Sequence, residues 1–490
     1  MVTQTPQTHD TPSNDKRWLA LYVLCTGVLM IVLDTTIVNV ALPSIRADLH
    51  FSETSLVWIV NAYMLTFGGF LLLGGRLSDL YGHRRLFLLG ITLFTFASVA
   101  CGLSNTQALL ITARAVQGLG GAVVLAVALS LIMNLFTEPT ERAKAMGVYG
   151  FVCAGGGSIG VLLGGLLTSA LNWHWIFLVN LPIGIVVYAL CRTLLPDDRG
   201  QSGAGHLDVA GAVTVTAALM LAVYAIVNGN GAGWASAQTI GLLAASAALL
   251  ALFLGIEARV RSPLMPLGLF HLRSIAVANV AGVLWAAAMF AWFFISALYM
   301  QLVLGYSALQ VGLSFLPANL IMAAFSLGLS ARIVMRFGIR LPLATGLLLA
   351  ATGLALFALS PVNGNFVDHV LPGMTLLGLG CGMALNPLLL AAMSDVTPSE
   401  SGLASGIVNT SFMMGGALGL AVLASLAAAR TESLLGAGLA TPAALTGGYR
   451  LAFLIGALFA AAAALLGILL LRARSQAKAH ANEEAITSHP

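Results

Sequence analysis

An all-α integral membrane protein with fourteen transmembrane helices, arranged six, two and six, is predicted from three observations. Apolar runs reach helical membrane length, they contain almost no charge, and Lys and Arg collect on one side of the connections between them. The 490 residues are 59% hydrophobic and 8% charged; soluble domains have about 45–50% and about 25%. With 22 Lys plus Arg and 18 Asp plus Glu, there is too little charge to coat a soluble surface, and the mean hydropathy is +0.95. A soluble enzyme, a nucleic-acid binder and a disordered scaffold are excluded on that ground. The net charge of +4 marks no partner, because the basic residues sit in short loops.

A hydrocarbon core about 30 Å thick takes about 20 apolar residues of helix. The first run, Trp18 to Leu42, is too long for a signal-peptide core and has no A-x-A site after it. It is read as a span ending at Pro43. Five more follow near 54–75, 86–104, 107–133, 146–171 and 173–194. The polar, Gly-rich stretch LPDDRGQSGAGH (195–206) is a linker, after which spans near 209–228 and 237–256 stand as a pair. A second linker, 257–274, leads to spans near 275–300, 308–330, 341–360, 368–393, 403–428 and 449–471. The organisation expected is a tail (1–17), a six-helix bundle (18–194), a linker with two additional helices (195–274), a second six-helix bundle (275–472) and a tail (473–490). GGRLSDLYGHRR (74–85) and SARIVMRFGIR (330–340) each follow the second span of a bundle. That faint repeat suits a transporter whose halves rock against each other.

With the N-terminus inside, eighteen Lys and Arg fall on the inner side and three (Arg46, Arg430, Arg450) outside; Arg114 lies within a span. Both termini are therefore expected in the cytoplasm. None of the five cysteines forms a CxxC pair, and the nine histidines lie in tails, loops or span ends. Neither a disulfide framework nor a metal centre is expected.

Asp34 and Arg114 are the two full charges well inside spans, each costing about 2.5–3.5 kcal/mol at a helix centre. Asp34 precedes Pro43 by nine residues and Arg114 follows Gln107 by seven, about 13 Å and about 10 Å of helix. Both lie in the outer half, so a facing pair is possible. A neighbouring guanidinium favours the charged carboxylate, whereas desolvation favours the protonated one. A water path that opens and closes lets Asp34 bind and release a proton; the alternative is a static pair that fixes helix packing. Asp395, near the inner end of the twelfth span, is a weaker second candidate. In the inner turn, Asp79 is placed to cap the third helix and neutralise Arg84 and Arg85, with Gly75 and Gly82 permitting the turn. In the fifth span, Gly156, Gly160, Gly164 and Gly165 favour close packing or a flexible gating helix. Cavity candidates are the polar and aromatic residues Asn39, Asn61, Tyr63, Gln117, Trp285, Phe290, Phe293, Asn319, Asn386 and Asn409; an unpaired amide in lipid is costly.

These motifs in order give the chain a close resemblance to the major facilitator superfamily, and within it to the fourteen-helix drug:proton antiporters of the EmrB/QacA type. LDTTIVNVALP (33–43), GGRLSDLYGHRR (74–85), ARAVQGLGGA (113–122), GSIGVLLGG (157–165), WHWIFLVNLPIG (173–184) and YMQLVLGYSALQVGLSFLP (299–317) carry it. The resemblance implies the major facilitator fold and proton-driven export of hydrophobic compounds across a cell inner membrane. It implies coupling at Asp34 and Arg114, an inner gate at Asp79, and the antiport movement in the fifth helix. Val161 stands where that family's fifth-helix motif has proline, Leu80 and His83 where its inner turn has basic residues, and Met335 at the position matching Asp79. The inner lock is thus expected on one side only. With one central carboxylate, neutral or monocationic substrates are expected and dications disfavoured. No nucleotide loop or nucleophile–base pair is present, so the energy source expected is a proton gradient, with no cofactor. Export of an endogenous polar metabolite is the next reading and a non-transporting receptor the third. A periplasmic adaptor protein is left open.

Overall fold

The computed structural model describes residues 14–195, 207–260, 263–396 and 401–471. Residues 1–13 of the first tail, the linker residues 196–206 and the whole of the second tail lie outside the described residues. All regular structure among the described residues is helical. The first six helices are α1 (Asn14–Leu49), α2 (Trp58–Tyr81), α3 (His83–Gly102), α4 (Gln107–Leu135), α5 (Pro139–Ala170) and α6 (Trp175–Leu194). The pair α7 (Val209–Ala232) and α8 (Ala237–Glu257) follows. The last six are α9 (Arg273–Leu298), α10 (Ala308–Ala324), α11 (Arg340–Ala358), α12 (Leu371–Met393), α13 (Ser401–Gly436) and α14 (Thr441–Leu470).

Local chemistry sets many of the ends. Thr106 caps α4, Asp208 caps α7 and Ser236 caps α8, and Ser307 with Gln310 forms a full capping box at α10. Gly82 breaks α2 from α3 at φ 94°, a backbone that side-chain-bearing residues rarely adopt. Thirteen helices among the described residues are long and apolar enough to cross a membrane. The expected tenth span corresponds to the shorter apolar helix α10. α10 alone has 17 residues and is extended by a π-helical turn at Phe325–Leu329 and a short helix, Ser330–Phe337. Gly328, at φ 115°, interrupts what the sequence presents as one apolar run.

Two expectations about ends are corrected. α1 does not stop at Pro43 but runs through it to Leu49, because proline costs a helix one N–H bond without ending it. α2 does not end at Gly75; it continues to Tyr81, since nothing before Gly82 interrupts the backbone ladder.

Helices α1–α6 pack mutually, chiefly as α2 on α4, α3 on α4 and α1 on α5; α9–α14 do so as α9 on α13, α11 on α12 and α11 on α14. The two groups meet along α5–α10 and α2–α13, and the α7–α8 hairpin rests against α2 and α13. The end of α2, the start of α9 and the end of α14 lie on one face, called here the terminal face. Three hydrogen bonds join the two groups directly among the described residues: Asn61 Nδ2 to Ala417 O at 2.9 Å, Gln301 Nε2 to Val40 O at 3.0 Å, and Leu309 N to Ser169 Oγ at 3.1 Å. All three lie toward the opposite, distal face.

Candidate functional site

Asp34 sits near the middle of α1, and Arg114 seven residues into α4; both are buried, at 0% and 1% exposure. The structure brings them together. Arg114 Nη1 donates to Asp34 Oδ2 at 2.5 Å and to Gln117 Oε1 at 2.7 Å. Gln117 Nε2 donates to Asp34 Oδ1 at 2.8 Å, and Asn180 Nδ2 from α6 approaches the same oxygen at 3.4 Å. Ser98 on α3 closes the ring: its Oγ accepts from Gln117 and Asn180 and donates to Phe177 O at 2.9 Å. Arg114 Nε donates to Ile59 O on α2 at 2.9 Å, and its guanidinium lies over the Tyr63 ring at 4.4 Å.

Five helices thus converge on one carboxylate, through charge-assisted bonds stronger than neutral ones. Every one of these partners belongs to α1–α6. Ser98 and Asn180 were not singled out in the sequence. A lone Ser or Asn in a span costs little and carries no pattern, although Asn180 falls within the WHWIFLVNLPIG motif. A proton on Asp34 would weaken its hold on Arg114, whose Nε bond leads to Ile59. Two residues further along α2, Asn61 holds α13 at the distal face.

The remaining candidates divide. Asn61 and Tyr63 are buried on α2, each with an unpaired oxygen, Asn61 Oδ1 and Tyr63 Oη. Trp285 Nε1 and Asn319 Nδ2 are buried donors without partners. Phe293 stacks on Phe315 at 5.3 Å, and Phe290 meets Phe412 edge-on at 6.0 Å across α9 and α13. Of these, Asn61 reaches α13 of the second group, and Phe290 lies with Met64 of α2 against Gly416. Asn39 instead turns its amide back on Thr35 O and Thr36 O of its own helix, both at 3.4 Å. Asn386 and Asn409 are exposed, and Asn409 bonds Ser405 O one turn back.

On α5, methyl groups at Gly156, Gly160 and Gly164 would press on α1, and one at Gly165 would meet Ala308 O of α10 at 2.6 Å. The helix runs without interruption from Pro139 to Ala170; with Val161 in place of proline, no backbone donor is lost there.

The inner turn differs from expectation. Asp79 lies in the last turn of α2 and is 68% exposed at its side chain; it pairs with His83 Nε2 at 3.4 Å. It does not cap α3, whose N-cap is Gly82 with no side-chain bond, because the extra turn of α2 carries the carboxylate away from the α3 N-terminus. Arg84 Nη2 donates to Arg192 O at 2.5 Å, and Arg85 is exposed. Gly75 is inside α2, and a methyl there would touch only Ala126 at 4.0 Å. Met335 is 70% exposed. Asp395 is exposed beyond the end of α12, lining a cavity of about 1150 Å³ with His271, Arg273 and Arg340 on the terminal face.

Apolar helices of membrane-spanning length around a buried ion pair define a multi-pass membrane protein. The chain belongs to the Major Facilitator Superfamily, which it matches over residues 24–420; it is a transporter and not an enzyme. Among its relatives are the puromycin resistance protein of Streptomyces alboniger, 39% identical over 94% of this chain and 90% of that one. The cephamycin export protein of Amycolatopsis lactamdurans is 39% identical over 91% of each chain. The multidrug resistance protein Stp of Mycobacterium tuberculosis is 36% identical over 85% of this chain and 77% of that one. Among solved structures, a bacterial homologue of the human lysosomal transporter Spinster, inward-facing and unoccupied, superposes with a TM-score of 0.64 at 16% identity, covering 94% of this chain and 98% of that one. That likeness bears on the fold alone.

Proposed function

We propose that this transporter is a proton-coupled exporter of hydrophobic neutral or monocationic compounds, working by alternating access. The observation that carries the reading is the buried Asp34–Arg114 pair. Relatives at 36–39% identity are named for antibiotic or multidrug resistance and for export, which supports drug-like cargo. In this reading a proton on Asp34 loosens Arg114, the strain passes through Ile59 to Asn61, and the Asn61–Ala417 bond at the distal face opens. Substrate leaves, the proton is released to the other side, and the pair reforms. The one-sided distribution of Lys and Arg supports a cell inner membrane with both termini cytoplasmic, so the distal face is the outer one. Asp79 with His83, and the α5–α10 contact at Gly165, then serve as inner gate and antiport seam.

The test is purified protein in liposomes under an imposed pH gradient, following ethidium in wild type and Asp34→Asn. Gradient-driven movement that vanishes in Asp34→Asn is the expected result. Equal movement in both proteins would remove Asp34 from the mechanism. The relative named for cephamycin export favours a second reading, export of an endogenous polar metabolite. Hydrophobic dyes that fail to compete with such a cargo would select it.

A further inference from the structure

The α7–α8 hairpin ends on the terminal face in two acids that the coupling site does not use. Asp208 caps α7, with Oδ1 accepting the Gly211 N–H at 2.7 Å. Glu257 closes α8, with Oε2 accepting the Met265 N–H at 3.1 Å. Both are buried, at 4% and 3% exposure. Their other oxygens, Asp208 Oδ2 and Glu257 Oε1, are buried without hydrogen-bond partners. Both point at one place: a methyl group on Gly211 would collide with Asp208 Oδ2 and meet Glu257 Oε1 at 2.9 Å.

The charged groups acting on Glu257 among the described residues are Asp208 and Arg76. Arg76, from α2, gives its Nη2 hydrogen bond to Pro263 O at 3.0 Å and forms no salt bridge with either acid. Two carboxylates facing each other in a dry site repel when both are ionised, whereas one proton between them makes a short, strong O–H···O⁻ bond. We infer that Asp208 and Glu257 hold one proton between them, and that this shared proton fastens the linker ahead of α9 to the two-helix insert.

Three segments meet at the pair. Met265 and Pro263 belong to the linker, Arg76 to the end of α2, and the acids to the insert. Beside them Leu264 is buried in an apolar cluster with Leu73 and Ala212. The linker leads directly into the second group of six helices, so the proton controls how firmly that group is tied to α2 on the terminal face. This gives the two additional helices a function, a proton-sensitive anchor. The pair shares its proton macroscopically, as coupled acids do. The sign follows: the anchor is held at lower pH and released as pH rises through ionisation of the pair.

Hydrogen–deuterium exchange of the linker peptide 263–272 tests this in the purified full chain, from pH 5 to pH 8, with rates corrected for intrinsic exchange. No substrate is needed, so the result is independent of the export reading. In wild type, protection should fall by up to about tenfold per pH unit as pH rises from the ordinary carboxylate range to the ionisation of the pair, and level off above it, as release of one proton requires. In Glu257→Gln the amide donates to Asp208 at every pH, so protection should stay high and flat. Asp208→Asn keeps the cap oxygen and should behave alike, which guards against one variant failing to fold. Flat protection in wild type, or an unchanged slope in both variants, would overturn the inference.

Discussion

Arg114 neutralises a carboxylate with no exposure to solvent, so its removal leaves an uncompensated buried charge. Arg114→Ala should destabilise the protein by about 3–5 kcal/mol, read as a lower unfolding midpoint in detergent. Adding Asp34→Asn removes that charge and should restore most of the loss; a double variant as unstable as the single would deny the coupling between the two residues. At the distal face, burial pushes the Glu53 carboxyl above its ordinary value of 4.5, while Arg46 pulls it down and Glu432 pushes it up. A raised folded value means that its contribution to stability is present below pH 4.5 and is lost as pH rises through the folded value. Between pH 4.5 and neutrality, wild type should lose stability relative to Glu53→Gln as pH rises, measured by thermal unfolding at each pH. Equal pH profiles would contradict it. Asp34 and Arg114 were legible in the sequence because a charge in an apolar run is expensive. Ser98, Asn180 and the Asp208–Glu257 pair were not, because small polar residues and span-end acids cost little until folding buries them together.

At the level of helices, α5 lies so close to its neighbours that single methyl groups matter. Gly165→Val would place carbon against Ala308 O and Leu309 Cα, an overpacking costing about 1–3 kcal/mol. The α5–α10 contact should then fail to close at the distal face. Cysteines placed at Ser169 and Leu309, whose parent residues are joined by a hydrogen bond at 3.1 Å, should form a disulfide in the wild-type background and lose it in Gly165→Val. Gly155→Ala, where the nearest atom is Phe151 Cζ at 4.0 Å, should cross-link normally; failure in both would mean that α5 senses any added volume. The helices themselves were readable from apolar length, with ends off by up to two turns. α1 overran Pro43 because a proline inside a long apolar helix only removes a bond. α2 overran Gly75 because the residue that stops it is Gly82, which needs its positive φ. The break after α10 was hidden, since Gly328 sits in an unbroken apolar run.

For the molecule as a whole, charge balance decides which cargo fits. Among the described acids that lie well inside a helix span, Asp34 is the one fully buried, and Arg114 already balances it. Asp208 and Glu257 sit at the terminal-face ends of α7 and α8, bonded to the insert and the linker, away from the seam between the two groups of helices. The central site is therefore neutral with Asp34 ionised, and carries one positive charge with either a proton or a monocationic substrate aboard. A dication leaves a further charge uncompensated in the membrane interior. At about 2.5–3.5 kcal/mol for a charge in the membrane interior, that penalty slows binding-limited transport by about two orders of magnitude. The check is gradient-driven flux in liposomes of ethidium against a bis-quaternary analogue of matched lipophilicity. A monocation rate about a hundredfold higher is expected. Equal rates would require a second carboxylate in the path. Asp395, which lines the terminal-face cavity with Arg273 and Arg340, is the acid to replace next in that event, because a dication moving through that cavity would lose its speed in Asp395→Asn while ethidium would not.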